Sequence, residues 1–249
     1  MIIGRTCLPE TLGVYQLVLS IVLMAYLVQD AVIGAPYRIY CHQRRGGRLA
    51  RYTGSSLVHQ AGLAVGTVAC LLALLGTIRL GFGPQSLEPA IWALLPAAPF
   101  VLLREFVRRI SFARLRMLTA IAIDATVATL QLGLLGLLAW RGALTVGAVY
   151  AVIGVSCAAA TLGWFLKRDV TLRFRRSDIL PDWKHNWSFS KWTLGSLLVA
   201  NGTPILVLPW FLALAHGERA TGVLAAWGGL SGLSNTFRVR DDNILGPKP

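Results

Sequence analysis

Residues 52–78 have the sequence YTGSSLVHQAGLAVGTVACLLALLGTI, which contains no Asp, Glu, Lys or Arg. A helix needs about 20 predominantly apolar residues to cross the roughly 30 Å hydrocarbon core of a bilayer, and this stretch is longer than that. In a soluble protein, a helix of this length without a polar face would have no side to present to water. The stretch therefore predicts a transmembrane helix.

The composition of the whole chain extends this prediction. Hydrophobic residues make up 55% of the 249 residues, charged residues make up only 14%, and the mean hydropathy is +0.61. Soluble domains carry about 25% charged residues, so this chain lacks the polar surface of a soluble globular domain. We therefore expect an all-α, polytopic transmembrane bundle.

Cutting the sequence at its charged residues yields seven apolar runs, each of which is a predicted membrane span. Some of the turns between them are very short: Arg141 alone separates the fourth run from the fifth, which predicts antiparallel neighbours. The seven runs are Thr11–Gln29, Tyr52–Ile78, Pro89–Leu103, Met117–Trp140, Gly142–Leu166, Trp192–Gly217 and Ala220–Phe237.

The distribution of basic residues predicts how these helices are oriented. Twenty of the 24 Lys and Arg residues fall in segments that an alternating chain places on one side of the membrane, namely residues 38–51, 104–116, 167–191 and 238–248. Because Lys and Arg resist translocation, that side is predicted to be cytoplasmic and residues 1–10 to lie outside. The loops account for the net charge of +13 without a nucleic-acid partner.

The two ends of the sequence carry a further expectation. No signal sequence precedes the first run, and an external start implies that an earlier helix is missing. The last run continues directly into Arg238 and Arg240. We therefore expect the chain to be part of a larger transporter.

Small residues predict close contacts between helices. Gly62 and Gly66 form a G-x-x-x-G pair in the second run, and Gly154 with Ala158 provides a similar pair in the fifth. Small side chains at this spacing let neighbouring backbones approach each other.

No pattern in the sequence indicates enzyme chemistry. The four cysteines are widely separated and form no C-x-x-C pair, so neither a metal site nor a disulfide framework is predicted. Nucleophile elbows, phosphate-binding loops and paired carboxylates are absent from the sequence. We expect no catalytic residues, no metal and no cofactor.

Three polar positions in the apolar runs are candidates for function. Asp124 lies about 10 Å into its helix, where a carboxylate is expected to face protein or a water-filled cavity, with either a structural or a functional role. Arg104, at a helix end, either lines a vestibule or extends to the interface. Asn201 precedes Pro204, which leaves the carbonyl of Ala200 without its helical donor. Such a break is either a packing kink or a transporter-like binding element.

The order of several short motifs carries a resemblance to a known family. The motifs are Gly13-Val-Tyr15, Pro36, Gly54 to Gln60, Arg104-Glu105-Phe106-Val107-Arg108-Arg109, Phe112-Ala113, Asp124, Trp187 to Trp192, Pro209-Trp210, Gly217 to Gly222, Ala225-Ala226, Asn235 and Leu245-Gly246-Pro247. Together with the topology, over residues 11–247, this order resembles the MOP (multidrug/oligosaccharidyl-lipid/polysaccharide) exporter superfamily. Its Wzx-like branch consists of polysaccharide and lipid-linked oligosaccharide flippases.

The resemblance implies a fold of two six-helix lobes. Residues 1–166 would be a partial N-terminal lobe with five helices, residues 167–187 a basic cytoplasmic linker, and residues 188–249 the start of the second lobe. The sequence departs from the family in lacking the first helix and most of the second lobe, so the chain is expected to be an incomplete two-lobe transporter.

The resemblance also implies a function. The intact family moves lipid-linked sugars for cell-surface polysaccharide and lipopolysaccharide biosynthesis across the bacterial inner membrane. Arg104 would pair with a pyrophosphate group, and Asn201 would bind sugar hydroxyls. Asp124 would either couple transport to a proton or cation or orient a neighbouring residue. The alternatives are a drug or cation exporter of the same superfamily, a membrane-embedded transferase, and a non-transporting membrane protein from a truncated gene.

The charge pattern generates a first testable prediction. Single cysteines would be placed beside Arg141 and beside Arg175 in a background without the native cysteines. A membrane-impermeant thiol reagent added from the cytoplasmic side is expected to label the site near Arg175 and not the site near Arg141. Equal labelling of both sites from one side would contradict the predicted topology.

Overall fold

The structure of the protein is a computed structural model, in which residues 9–167 and 171–228 are described. All regular secondary structure in these residues is helical, and they contain no β-strand. The predicted all-α class is therefore confirmed.

Eight α-helices follow one another between residues 9 and 216, and two of them continue through short π-helical turns. The first π-turn, Asp30–Gly34, joins α1 to α2, and the second, Thr203–Val207, joins α7 to α8. Residues 218–228 are also helical. The helices are α1 (Pro9–Gln29), α2 (Ala35–Tyr40), α3 (Gly46–Arg79), α4 (Glu88–Ala113), α5 (Met117–Trp140), α6 (Val146–Leu166), α7 (Arg176–Gly202) and α8 (Leu208–His216).

Six helical segments of the described chain are long and apolar enough to cross a membrane. They overlap the first six predicted runs. The third run, which carries Pro96 and Pro99 in its interior, lies inside a continuous 29-residue segment, Gln85–Ala113. The seventh run, Ala220–Phe237, is helical as far as residue 228 and otherwise lies outside the described residues. The protein is a multi-pass membrane protein.

Helix α4 occupies the centre of the bundle. It packs against α1, α3, α5 and α6. Its buried residues recur on several faces, and they include Ile91, Leu94, Leu102 and Val107. A helix enclosed by neighbours on most sides is apolar nearly all round. The charged residues of α4 are therefore confined to its two ends.

The contact between α4 and α6 depends on small residues. A Cβ atom placed on Gly154 of α6 would lie 2.5 Å from the Cβ of Ala97 and 2.9 Å from its Cα. The predicted role of Gly154 in close packing is therefore confirmed. Gly62 and Gly66 of α3 make no such contact with the described residues, because outside their own helix turn no described atom lies within 4 Å of a Cβ placed on either.

The two π-turns lie in helices that pack against each other. In the first, the N–H of Ala35 donates to the carbonyl of Asp30, and in the second, the N–H of Leu208 donates to the carbonyl of Thr203. The first π-turn packs against α7, and the second packs against α1. The break predicted at Pro204 therefore takes the form of one wide helical turn, and the chain continues as a helix on both sides of it.

The predicted linker, residues 167–187, is only partly a loop. Residues 171–175 have no helical structure, whereas α7 already begins at Arg176. The helix α7 packs against α3. In the non-helical stretch before it, the N–H of Arg173 donates to the carbonyl of Ala50 in α3 over 3.2 Å. More than half of this basic segment therefore belongs to the helical bundle.

Three of the four basic segments lie together at one end of the bundle, and the fourth, residues 238–248, lies outside the described residues. Arg114 donates to the Tyr37 hydroxyl over 3.1 Å, and Arg44 pairs with Asp182 over 2.8 Å. These contacts join residues 37–51 to both 104–116 and 171–187. At the other end, Arg79 pairs with Glu88 over 2.7 Å. The helices thus place the basic connections on a common face, as the charge pattern requires.

The tight α4–α6 contact generates a prediction about stability. Gly154→Leu would force its side chain into the backbone of Ala97, and overpacking of this kind costs about 1–3 kcal/mol. Gly163→Leu is the matched control, since it lies on the same helix and no described atom lies within 4 Å of its Cβ position. We expect a lower melting temperature in detergent micelles for the first variant only. Equal melting temperatures would contradict the contact.

Candidate functional site

Arg104 and Asp124 face each other across the tight turn between α4 and α5. The turn reverses the chain at Leu115, which adopts a left-handed conformation with φ of 58°. Its N–H donates to the carbonyl of Phe112 over 3.0 Å. The two helices then run antiparallel, and the Arg104 guanidinium donates to a carboxylate oxygen of Asp124. The structure therefore brings two of the three predicted site residues into direct contact.

Glu105 forms the centre of the site. Its side chain is only 9% exposed, and three arginines approach it. Arg109 donates to Oε1 over 2.8 Å, while nitrogens of Arg104 and Arg108 lie 3.6 and 3.7 Å from Oε2. Arg109 is four residues further along α4, so this pair occupies one helix face. A buried carboxylate requires such partners, because an unpaired charge in a poorly solvated position is very costly.

Asp30 extends the site to the first helix. It begins the first π-turn, and it accepts hydrogen bonds from Arg38 over 2.8 Å and from Arg109. A Cβ on Gly34 would lie 2.6 Å from the Asp30 carboxylate and 3.3 Å from Arg109. The absence of a side chain at Gly34 therefore makes room for this pair. We call the connected set Asp30, Arg38, Arg104, Glu105, Arg108, Arg109 and Asp124 the arginine network.

The arginine network carries more positive than negative charge. Four arginines are connected to three carboxylates. Among the described residues, the buried Nε atoms of Arg104 and Arg108 have no hydrogen-bond partner. Arginine presents five N–H donors, so these two side chains retain capacity to bind a further acceptor. The network is suited to an anion.

Exposure differs across the network. The Asp124 side chain is 41% exposed and that of Arg108 is 32% exposed, in contrast to the nearly enclosed Glu105. Asp124 and Arg108 therefore form the accessible edge of this part of the site, whereas Arg104, which pairs with Asp124, is only 18% exposed. A ligand arriving at this edge would compete with Asp124 for the guanidinium of Arg104.

Asn201 lies outside the arginine network. Its amide nitrogen donates to the carbonyl of Leu197 in its own helix over 3.3 Å. It belongs to the last turn of α7, directly before the second π-turn. The structure therefore gives Asn201 a partner within α7, and the predicted set of three does not converge on one point.

Sequence reasoning did not identify five members of the network as site residues, namely Asp30, Arg38, Glu105, Arg108 and Arg109. Glu105, Arg108 and Arg109 belong to a motif of the family resemblance, and Arg38 belongs to a basic segment. One local signal was available, because Glu105 and Arg109 have the i, i+4 spacing of a helical ion pair. The pairing of Asp30 with Arg109 has no local signal, since the two residues are far apart in sequence.

The site generates a prediction based on Glu105. Glu105→Gln keeps the shape of the side chain and leaves three arginines without their shared counter-charge. Removing one partner from a buried ion pair costs about 3–5 kcal/mol, so a marked drop in melting temperature is expected. Glu88→Gln, which removes a charge from an exposed pair with Arg79, is the control and should change little. A Glu105→Gln variant as stable as the control would rule out the central role of Glu105.

The chain was compared with known protein families, curated proteins and solved structures. No protein-family model, no curated protein and no solved structure matches the chain. The function must therefore be inferred from the bundle and from the arginine network.

Proposed function

We propose that this chain is part of a flippase that moves a lipid-linked oligosaccharide across a membrane, similar to the Wzx-like branch of the MOP exporters. The observation that carries the proposal is the arginine network, an anion-binding arrangement within a multi-pass helical bundle. Its accessible edge consists of Asp124 and Arg108, and the buried Nε atoms of Arg104 and Arg108 have no hydrogen-bond partner in the described residues.

The charge of the network supports an anionic cargo. A pyrophosphate linker offers several oxygen acceptors, and arginine binds phosphate oxygens through two parallel hydrogen bonds. An exporter of cationic drugs would instead need an excess of carboxylates, whereas four arginines oppose three carboxylates here. The lipid-linked sugar is therefore favoured over the drug or cation substrates of the same superfamily.

Each predicted site residue has a role in this proposal. The pyrophosphate displaces Asp124 from Arg104. The released Asp124 carboxylate then takes up a proton or a cation, and the binding of that ion is thereby coupled to transport. Asn201 turns its amide from Leu197 towards the sugar hydroxyls. The lipid tail of the substrate stays in the surrounding bilayer, because the tails of the bilayer lipids are equally apolar.

The proposal includes a location for the protein. We place the chain in the bacterial inner membrane, with the basic end of the bundle in the cytoplasm and the start of α1 outside. The clustering of basic segments at one end supports this orientation, since positive loops are retained on the cytoplasmic side. Residues 9–166 would then belong to one transport lobe, and α7 and α8 would begin a second.

Binding of the substrate to the full chain in nanodiscs tests the proposal, since binding requires the site and not the complete two-lobe transporter. The ligand would be a polyprenyl-pyrophosphate disaccharide with a fluorescent label, and its binding would be followed by fluorescence anisotropy. We expect binding by the wild type and at least tenfold weaker binding by Arg104→Gln, because a charge-assisted contact to the pyrophosphate is lost. Asp124→Leu is expected to bind at least as tightly as the wild type, because the carboxylate that competes for Arg104 is removed.

The control for this experiment is Arg79→Gln. It removes one positive charge from an exposed pair at the opposite end of the bundle and should bind with wild-type affinity. All variants would be matched for expression and melting temperature. A wild type that binds no substrate would contradict the flippase proposal and favour a non-transporting protein. Equal affinities for Arg104→Gln and Arg79→Gln would contradict the site.

A further inference from the structure

A polar cavity lies between the starts of α3 and α7, apart from the arginine network. Its volume is about 300 Å³. No residue of the arginine network lines it, so a function for this cavity does not depend on the proposed flippase activity. The polar residues that line it include Gln43, Arg44, Arg48, Arg51, Asp178 and Asp182.

One wall of the cavity is held in a fixed geometry. Arg44 pairs with Asp182 over 2.8 Å, and its guanidinium carbon lies 4.0 Å above the ring centre of Tyr52. The fully buried Tyr52 in turn donates from its hydroxyl to Asn186 Oδ1 over 3.0 Å. These contacts fix Arg44 before any ligand arrives, which reduces the entropy lost on binding.

The remaining basic groups of the cavity are less fully paired. Arg51 is 3.6 Å from Asp178, a distance beyond a good hydrogen bond. Arg48 makes no ion pair within residues 9–167 and 171–228. Three arginines thus share two carboxylates at the lining, and the cavity retains a positive charge.

The side chain of Arg173 and the N-terminus of α3 add to the positive potential of the cavity. A guanidinium nitrogen of Arg173 lies 3.7 Å from the position of a Cβ on Gly47, in the first turn of α3. That first turn has neither a side-chain cap nor an acidic residue. The positive end of the helix dipole therefore faces this region without compensation.

We propose that this cavity binds a phosphate group. The planar guanidinium forms paired hydrogen bonds with phosphate oxygens, and the prealigned Arg44 together with the unpaired Arg48 supplies two such groups. The phosphate belongs either to an anionic lipid headgroup or to a soluble phosphate compound. Trp183 and Trp187 stack beside the region with ring centres 6.0 Å apart, and indole rings favour the headgroup level of a bilayer.

Two binding measurements on the full chain distinguish these sources. In the first, the protein is reconstituted in nanodiscs of phosphatidylcholine with a small fraction of phosphatidylglycerol, and the phosphatidylglycerol retained after detergent extraction is counted by native mass spectrometry. In the second, nanodiscs of phosphatidylcholine alone are titrated with inorganic phosphate, and binding is followed by microscale thermophoresis. Selective retention in the first measurement assigns the site to a lipid, and saturable binding in the second assigns it to a soluble phosphate.

Arg48→Gln and Arg45→Gln form the matched pair of variants. Both remove one exposed arginine from the same segment, but only Arg48 lines the cavity. We expect Arg48→Gln to weaken binding about tenfold, as expected for the loss of one charge-assisted contact, and Arg45→Gln to stay within about twofold of the wild type. Equal effects of the two variants would reduce the interaction to general electrostatic attraction and overturn the proposal, as would the absence of binding in both measurements.

Discussion

An unpaired charge in hydrocarbon costs several kcal/mol, and this cost determines where the ionisable side chains of the protein lie. The basic connections gather at one end of the bundle, where residues 37–51 contact both 104–116 and 171–187. The charges that extend furthest into the helices are paired with one another, as Arg104 is with Asp124. The same rule thus produces both the apolar spans and the arginine network.

Helix α4 connects this electrostatic rule to the packing of the bundle. Its middle is apolar and is packed closely against α6 through Ala97 and Gly154. Its last turns carry Arg104, Glu105, Arg108 and Arg109, which have partners on the first π-turn and on α5. The close packing holds α4 in one rotation about its axis, and that rotation directs Glu105 inward, where it collects three arginines. The geometry of the proposed site therefore depends on apolar contacts some distance away.

The two π-turns place polar residues where a regular α-helix would not. The first begins with Asp30, which bridges Arg38 and Arg109, and the second directly follows the helical turn that contains Asn201. Wide turns of this kind occur frequently at functional sites. In this protein each of them packs against the helix that contains the other. A change at one is therefore in a position to affect the other, which suits a protein whose substrate would have to pass between helices.

The sequence by itself determined the class of the protein, the positions of six spans and the gathering of basic segments. Each of these depends on local composition, because a run of apolar residues is stable in lipid whatever its neighbours are. The sequence also identified Asp124 as a costly residue inside a span and Arg104 as a candidate at a helix end. It did not determine which partners they have, and it placed Asn201 with them although its hydrogen bond lies within α7.

Only the tertiary structure decided the pairings, such as Asp30 with Arg109 and Arg44 with Asp182. These depend on how helices distant in sequence are rotated and shifted relative to one another, and no local pattern encodes that. The glycines also show that a local pattern does not determine which helices meet. Gly154 and Gly62 belong to similar motifs, yet only Gly154 meets a neighbouring helix in the described chain. A small residue permits a close approach, but the packing of the whole bundle decides whether another helix is there.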